Sequence, residues 1–376
     1  MICRAALIAV AVLMVAPTAF AADPAPATWQ RAIGPWAWSF PRDHGAHRNF
    51  KSEWWYFTGN LKEDGTGRPF GYQLTIFRQG VQLTPAQKNS QWAVRDFYFG
   101  HFTISDIAKN EFHVAEKVSR GALGEAHAET GGMDVAIGPW SVGSKVDLAQ
   151  EHYLLQAKDG DMAIAFDAQP SKPLVLEGTN GLSQKSSGAG NASYYYSFPR
   201  LATTGTLILN GKAFPIHGSS WFDHEFSTSS LGPDQVGWDW YCLQFDNGEE
   251  LMLYCMRNKA GTFDKTSRGV WIDSRGGRQE IGEGEYSVEY LDYWKSPASP
   301  GRYPSKWRIR IPKLQAELVI LPRMADQELR LHDLGEMDYW EGACTVKGYK
   351  EGHPISGVGY TELTGYATPL GKGMKD

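Results

Sequence analysis

The stretch VGWDWYCLQFDNGEELMLYCMR, residues 236–257, reads as a β-hairpin. Two aromatic and aliphatic runs flank Asn247-Gly248, a pair that tolerates the positive φ angles of a tight turn. A similar unit stands near the start of the chain. Glu53-Trp54-Trp55-Tyr56 opens a run that turns at Asp64-Gly65 and returns as Tyr72-Gln73-Leu74-Thr75-Ile76-Phe77-Arg78. Both units are aromatic and acidic on the first arm, and both end in arginine, Arg78 and Arg257. One hairpin recurring across the chain indicates two diverged copies of a single β-domain.

The remaining chain agrees with an all-β protein. Further short runs rich in β-branched and aromatic residues, such as 97–104 and 206–210, lie between turn signals at Asn210-Gly211 and Gly276-Gly277. No window carries a sustained apolar stripe at helical spacing. Short helices are expected only around 84–88 and 324–329. The polar, small-residue stretch SQKSSGAGNAS, residues 183–193, reads as a linker or long loop between the copies. The expected organisation is a signal segment over 1–21, an N-terminal domain over 22–200 and a C-terminal domain over 201–376. Each domain has the size of a lipocalin-like antiparallel barrel of about eight to ten strands, which can enclose one small ligand.

The N-terminus sets the compartment. A basic Arg4, an apolar run to Phe20 and small residues at Ala19 and Ala21 form a cleavable signal peptide, so a periplasmic or secreted protein is expected. That run is too short to span a bilayer, and no later stretch is longer, so an integral membrane protein is not expected. A net charge of −5 offers no basic footprint for nucleic acid. Beyond Cys3 the chain has Cys242, Cys255 and Cys344, too few for a disulfide scaffold. Fourteen tryptophans and 13% aromatic residues point to half-buried sheet surfaces or an apolar cavity.

Against this background GSSWFDHEF, residues 218–226, is the chemical candidate. On an extended strand Trp221, Asp223 and Glu225 face one way and Phe222, His224 and Phe226 the other. If Asp223 and Glu225 face an apolar pocket, one of them stays protonated near neutral pH. If His224 does, it meets Trp238 or Trp240. Such an acid among aromatic rings suits protonation of an alkene, with the rings stabilising a cation. The plainer alternative is ion pairing of Asp223 and Glu225 with Arg78 or Arg257 at a barrel mouth. No G-x-S-x-G elbow, P-loop or H-E-x-x-H occurs, and no cofactor is expected. Asp43 with His44-x-x-His47 is too loosely spaced to suggest a metal centre.

SEWWYFTGNL (52–61), GSSWFDHEF, the hairpin quoted first, YWEGACTVKG (339–348) and GVGYTELTGY (357–366) together resemble the AttH-like and carotenoid 1,2-hydratase (hydroxyneurosporene synthase) superfamily. The resemblance runs in order through nearly all of the mature chain. It implies two lipocalin-like barrels and a mixed set of activities: carotenoid hydratases, cyclisation-guiding fungal proteins, predicted secreted hydrolases and accessory proteins of ABC transport systems. It places His224 on the family histidine, with Asp223 and Glu225 beside it and Asp239 on the following strand as candidate catalytic groups. Glu53, Trp54, Tyr56, Trp221, Phe226, Trp238, Trp240 and Tyr254 are the candidate ligand-binding residues. Two departures weaken the hydratase reading. Phe226 and Ser227 stand where many relatives have tryptophan and glycine, and the arm 251–257 lacks the acid expected near Met256. The first expectation is therefore an exported protein binding an apolar lipid, isoprenoid or polyene, with an ABC transporter permease as a further partner. The alternative is a hydratase or hydrolase acting on an apolar substrate.

Overall fold

The computed structural model describes residues 28–83, 92–147, 150–229, 231–333 and 338–370. Two curled antiparallel sheets of 13 and 10 strands carry the fold, and no α-helix occurs among these residues. The two-barrel, lipocalin-like architecture expected from the repeat is present. Nine strands build the site: β1 (Ser52–Glu63), β2 (Pro69–Gly80), β3 (Asp96–Asp106), β4 (Ala192–Leu209), β5 (Lys212–Ser227), β6 (Gln235–Phe245), β7 (Glu250–Asn258), β8 (Tyr339–Lys350) and β9 (His353–Leu363). In the first sheet they run β3-β2-β1-β5-β4, and in the second β7-β6-β9-β8. The two hairpins read from the sequence are β1–β2 and β6–β7.

Strand burial shows what each face meets. Along β5 the pattern alternates through Phe214 and Ile216, as it must where one side faces solvent, then becomes continuous from Ser220 to Ser227. That second half is WFDHEF, where the strand passes from one-sided to two-sided cover. Its inner face joins the core of the first barrel, filled by Trp55, Phe57, Tyr72, Tyr153 and Phe222. Its outer face meets the second sheet through a separate cluster that includes Tyr56, Tyr195, Trp221, Trp240 and Tyr254. The second barrel is likewise filled, by Tyr241, Trp307 and Trp340 among others.

Polar bonds tie the domains together. His101 Nδ1 meets the Tyr339 hydroxyl at 2.8 Å, Arg200 Nε donates to Glu250 Oε1 at 2.6 Å, and Lys172 Nζ donates to Glu250 Oε2 at 2.6 Å. At Gly71 the sheets approach so closely that a Cβ would lie 2.8 Å from that of Ala343, so only glycine fits.

Several expectations need correction. The division between sheets falls between Ser227 and Gln235 rather than at 200/201, because β4 and β5 form one hairpin that pairs with β1 and belongs to the first sheet. Residues 183–193 do not link domains: Leu182–Gln184 is a strand of the first sheet paired to β4. No helix forms at 324–329, where Gln327 and Glu328 are buried and Glu328–Leu329 pairs with β8. The expected signal segment and the helix at 84–88 lie outside the described residues. Among those residues no helix is long and apolar enough to cross a membrane.

Candidate functional site

The alternation expected for WFDHEF holds, and it separates His224 from its acidic neighbours. On the inner face His224 lies opposite Trp55 and stacks on it at 4.9 Å. With the ring proton on Nε2, it donates to Glu53 Oε1 at 3.0 Å. Glu53 also takes His47 Nδ1 at 2.8 Å and Arg78 Nε at 3.0 Å, and Arg78 reaches on to Asp96 at 2.9 Å. Phe226 stacks on His47 at 3.5 Å. All of these groups are buried or nearly so. Burial pushes His224 down to about 4, against the pull of Glu53, so the ring is neutral. Burial opposes the charge of Glu53, but Arg78 and the two imidazoles hold its carboxyl below the usual range.

His47, Glu53 and His224 bring ligand atoms within 4.8 Å of one another. The Arg78 guanidinium already supplies the positive charge there, and the histidine nitrogens are spent on hydrogen bonds. This is an internally satisfied buried cage on the inner face of β5. Arg78 serves Glu53 and Arg257 serves Asp239, so neither arginine pairs with Asp223 or Glu225 as the plainer reading supposed. Nor does His224 approach Trp238 or Trp240, which lie in the second sheet beyond the opposite face of β5.

The outer face behaves differently. Asp223 Oδ1 accepts from Ser197 Oγ and Trp221 Nε1, both at 2.6 Å, and Oδ2 accepts from the Tyr195 hydroxyl at 2.6 Å. All three donors are neutral. Burial pushes Asp223 up to about 7, with the three donors pulling down and the Glu225 charge pushing up. Glu225 is paired instead with Lys185 Nζ at 2.9 Å. The ammonium also lies over the rings of Tyr254 and Tyr195, 4.4 and 4.8 Å from their centroids. Burial works against that charge, but Glu225 and Tyr254 hold Lys185 above its ordinary value. Glu177, buried beside Ser197, is pushed well up by burial and then by Asp223.

The second sheet faces these groups with acids of its own. Glu341 on β8 and Glu362 on β9 are cross-strand partners. Glu362 accepts from Trp238 Nε1 at 2.8 Å, and burial pushes it up to about 7. Glu341 accepts the hydroxyl of Tyr56, the residue paired with Asp223 across β1–β5, and burial holds it well above the carboxylate range. Trp54, Trp238 and Leu231 cover this cluster and are each only half-buried. A row of half-buried rings leads outward from Trp54 to Phe77 and Phe99, the last two stacked at 4.4 Å.

Of the residues singled out from the sequence, this face gathers Asp223, Glu225, Trp54, Tyr56, Trp221, Trp238, Trp240 and Tyr254. His224, Glu53 and Phe226 stand on the opposite face. Asp239 lies inside the second barrel, paired with Arg257 at 2.8 Å and bonded by Tyr290 and Tyr366. Lys185, Tyr195, Ser197, Glu177, Glu341 and Glu362 escaped the sequence reading. Glu341 had a signal, an acid set in the otherwise apolar run Tyr339-Trp340-Glu341-Gly342-Ala343-Cys344. Lys185 had none, since its neighbours read as loop. A shallow hollow elsewhere, lined by Phe112, Asp326, Glu328 and Arg330, holds no unpaired acid: Glu328 is bonded to Arg330, Ser296 and Tyr303.

The chain as a whole has known relatives. The AttH-like family profile matches residues 31–366. A crystal structure described as an AttH from Nitrosomonas europaea is 34% identical, with a TM-score of 0.78 over 90% of this chain and 99% of the other. Kievitone hydratase from Nectria haematococca shares the fold at 15% identity, with a TM-score of 0.65 over 87% and 92% of the two chains. Dehydratase asqC from Emericella nidulans is 23% identical over 199 residues, 51% of this chain and 55% of the relative, so the match spans about half of that curated protein.

Proposed function

The chain belongs to the AttH-like family, and from that premise and the interdomain geometry we propose that it is a hydratase-type enzyme that adds or removes water at an unsaturated carbon of an apolar substrate. One observation carries the reading: Asp223 is buried among aromatic rings, bonded by three neutral donors and by no cation among the described residues, and burial raises its pKa to about 7. A carboxyl that changes state near neutral pH is suited to give and take protons during turnover. Trp221, Trp240 and Tyr195 surround the same point and would stabilise positive charge developing on carbon. The half-buried row Trp54, Phe77 and Phe99 offers the substrate a surface to lie along. The hydratase and dehydratase among the similar proteins support the reaction class.

Both barrel interiors are filled with side chains, so the apolar molecule belongs between the domains rather than in a lumen. Export to the periplasm or medium is part of the proposal and rests on the N-terminal segment; recovery of the chain cleaved after Ala21 tests it. An ABC permease partner rests on export alone.

The test uses lycopene, geraniol and kievitone as probes in oxygen-labelled water. The reading expects one of them to gain or lose water with label exchange, and Asp223→Asn to lower that rate by at least about 100-fold. Saturable binding with no turnover would instead establish a carrier.

A further inference from the structure

The carboxyl of Glu341, across the interface from Asp223, offers the second group that water addition requires. Adding water to an alkene needs one group to deliver a proton to carbon and another to accept a proton from water. Asp223 with its three donors is organised to be a carboxylate for part of the cycle, since every donor stabilises the anion. Glu341 is organised in the opposite sense. It is fully buried, no cation pairs with it among the described residues, its cross-strand neighbour is another acid, and Oε1 takes the Tyr56 hydroxyl with the Tyr339 hydroxyl also close to the carboxyl. Its Oε2 is buried and accepts no hydrogen bond among the described residues. A charged carboxylate so placed would lack solvation, whereas the neutral acid has a proton to offer.

We propose that Glu341 is the proton donor of a two-carboxyl pair with Asp223, with Tyr56 beside both and the substrate entering between the sheets at the half-buried rim of Trp54, Trp238 and Leu231. The inference rests on the hydratase-type reading and deepens it by assigning the acid. In the hydration direction the Glu341 O–H proton passes to one alkene carbon, the π bond breaks and a C–H bond forms. Water attacks the neighbouring carbon, a C–O bond forms, and the proton released by water goes to the Asp223 carboxylate. Asp223 then returns its proton to solvent at the half-exposed rim near Trp54 and Trp238, and Glu341 takes one back. Dehydration runs through the same steps reversed. Glu362, held by the Trp238 indole, disfavours a second negative charge at Glu341 and so keeps the acid loaded.

The experiment compares the full-length mature protein with Glu341→Gln and Tyr56→Phe, using the probe that wild type turns over. Turnover, probe affinity by tryptophan quenching, and the infrared carbonyl band of neutral carboxylic acids are read in parallel. The inference expects Glu341→Gln to lose at least about 100-fold in kcat with affinity within about twofold, and to lose one neutral-acid band at neutral pH. Tyr56→Phe, which keeps the ring, should keep the band and lose roughly tenfold in kcat. Wild-type kcat in Glu341→Gln, or an unchanged band, overturns the assignment while leaving the hydratase-type reading standing. An active wild type whose Asp223→Asn variant is equally active removes both.

Discussion

On the inner face of β5, His224 meets Glu53 and, through it, His47 and Arg78; on the outer face, two atoms of backbone away, Asp223 meets Tyr195, Ser197 and Trp221. Both environments are buried and polar, yet they hold their protons in opposite ways. The inner face contains a full cation beside its acid, so Glu53 is kept ionised and His224 neutral. On the outer face the Lys185 ammonium is paired with Glu225, and Asp223, Glu362 and Glu341 are pushed toward neutrality. A buried acid with an arginine is a structural part; a buried acid with only neutral donors is a titrating one.

The comparison breaks most readily at Glu53. Glu53→Gln leaves the buried Arg78 charge paired with Asp96 alone and the two imidazoles without the Glu53 carboxylate, and the expected loss of stability is about 3–5 kcal/mol, measured by urea unfolding. Unchanged stability accompanied by lost turnover would make the inner face the working one. Next in size is Asp223→Asn, for which a rate loss of at least about 100-fold is expected with a smaller stability change than Glu53→Gln shows in the same unfolding assay.

The two faces also predict opposite dependences on pH. Asp223 and Glu362 bind protons more tightly folded than unfolded, so their contribution is greatest in acid and declines as pH rises from about 4 toward about 7. His224 binds its proton less tightly when folded, so its contribution declines as pH falls from 6.5 toward about 4, and that of Glu53 is lost as pH falls below 4.5. Unfolding free energy followed across this range should lose at least about 1.4 kcal/mol of its alkaline-side decline in Asp223→Asn, the worth of one pKa unit. His224→Gln should flatten only the acid side. The smallest effect is expected from Ser197→Ala, which removes one donor to the carboxylate and should move the Asp223 limb of the rate profile up by about one pH unit.

Much of this was legible in the sequence. The paired hairpins, with their turn residues and terminal arginines, were enough for two barrels, and the period of two correctly sorted WFDHEF into faces. What each face meets was not legible, because it depends on which sheet lies across from β5. Trp54 and Glu225 are register partners 171 positions apart on paired strands, and Glu341 reaches Tyr56 across the interface over 285. Lys185 was lost for a different reason: small polar residues around it resemble a flexible connection, yet they deliver the ammonium that neutralises Glu225.

The most direct test sets the two faces of β5 against each other in one assay. Asp223→Asn and His224→Gln would be compared with wild type for label exchange from oxygen-labelled water, each rate corrected for the folded fraction. The account predicts that Asp223→Asn falls by at least about 100-fold while His224→Gln stays within about tenfold of wild type. The reverse order, with His224→Gln inactive and Asp223→Asn unimpaired, would contradict it and move the chemistry to the inner face.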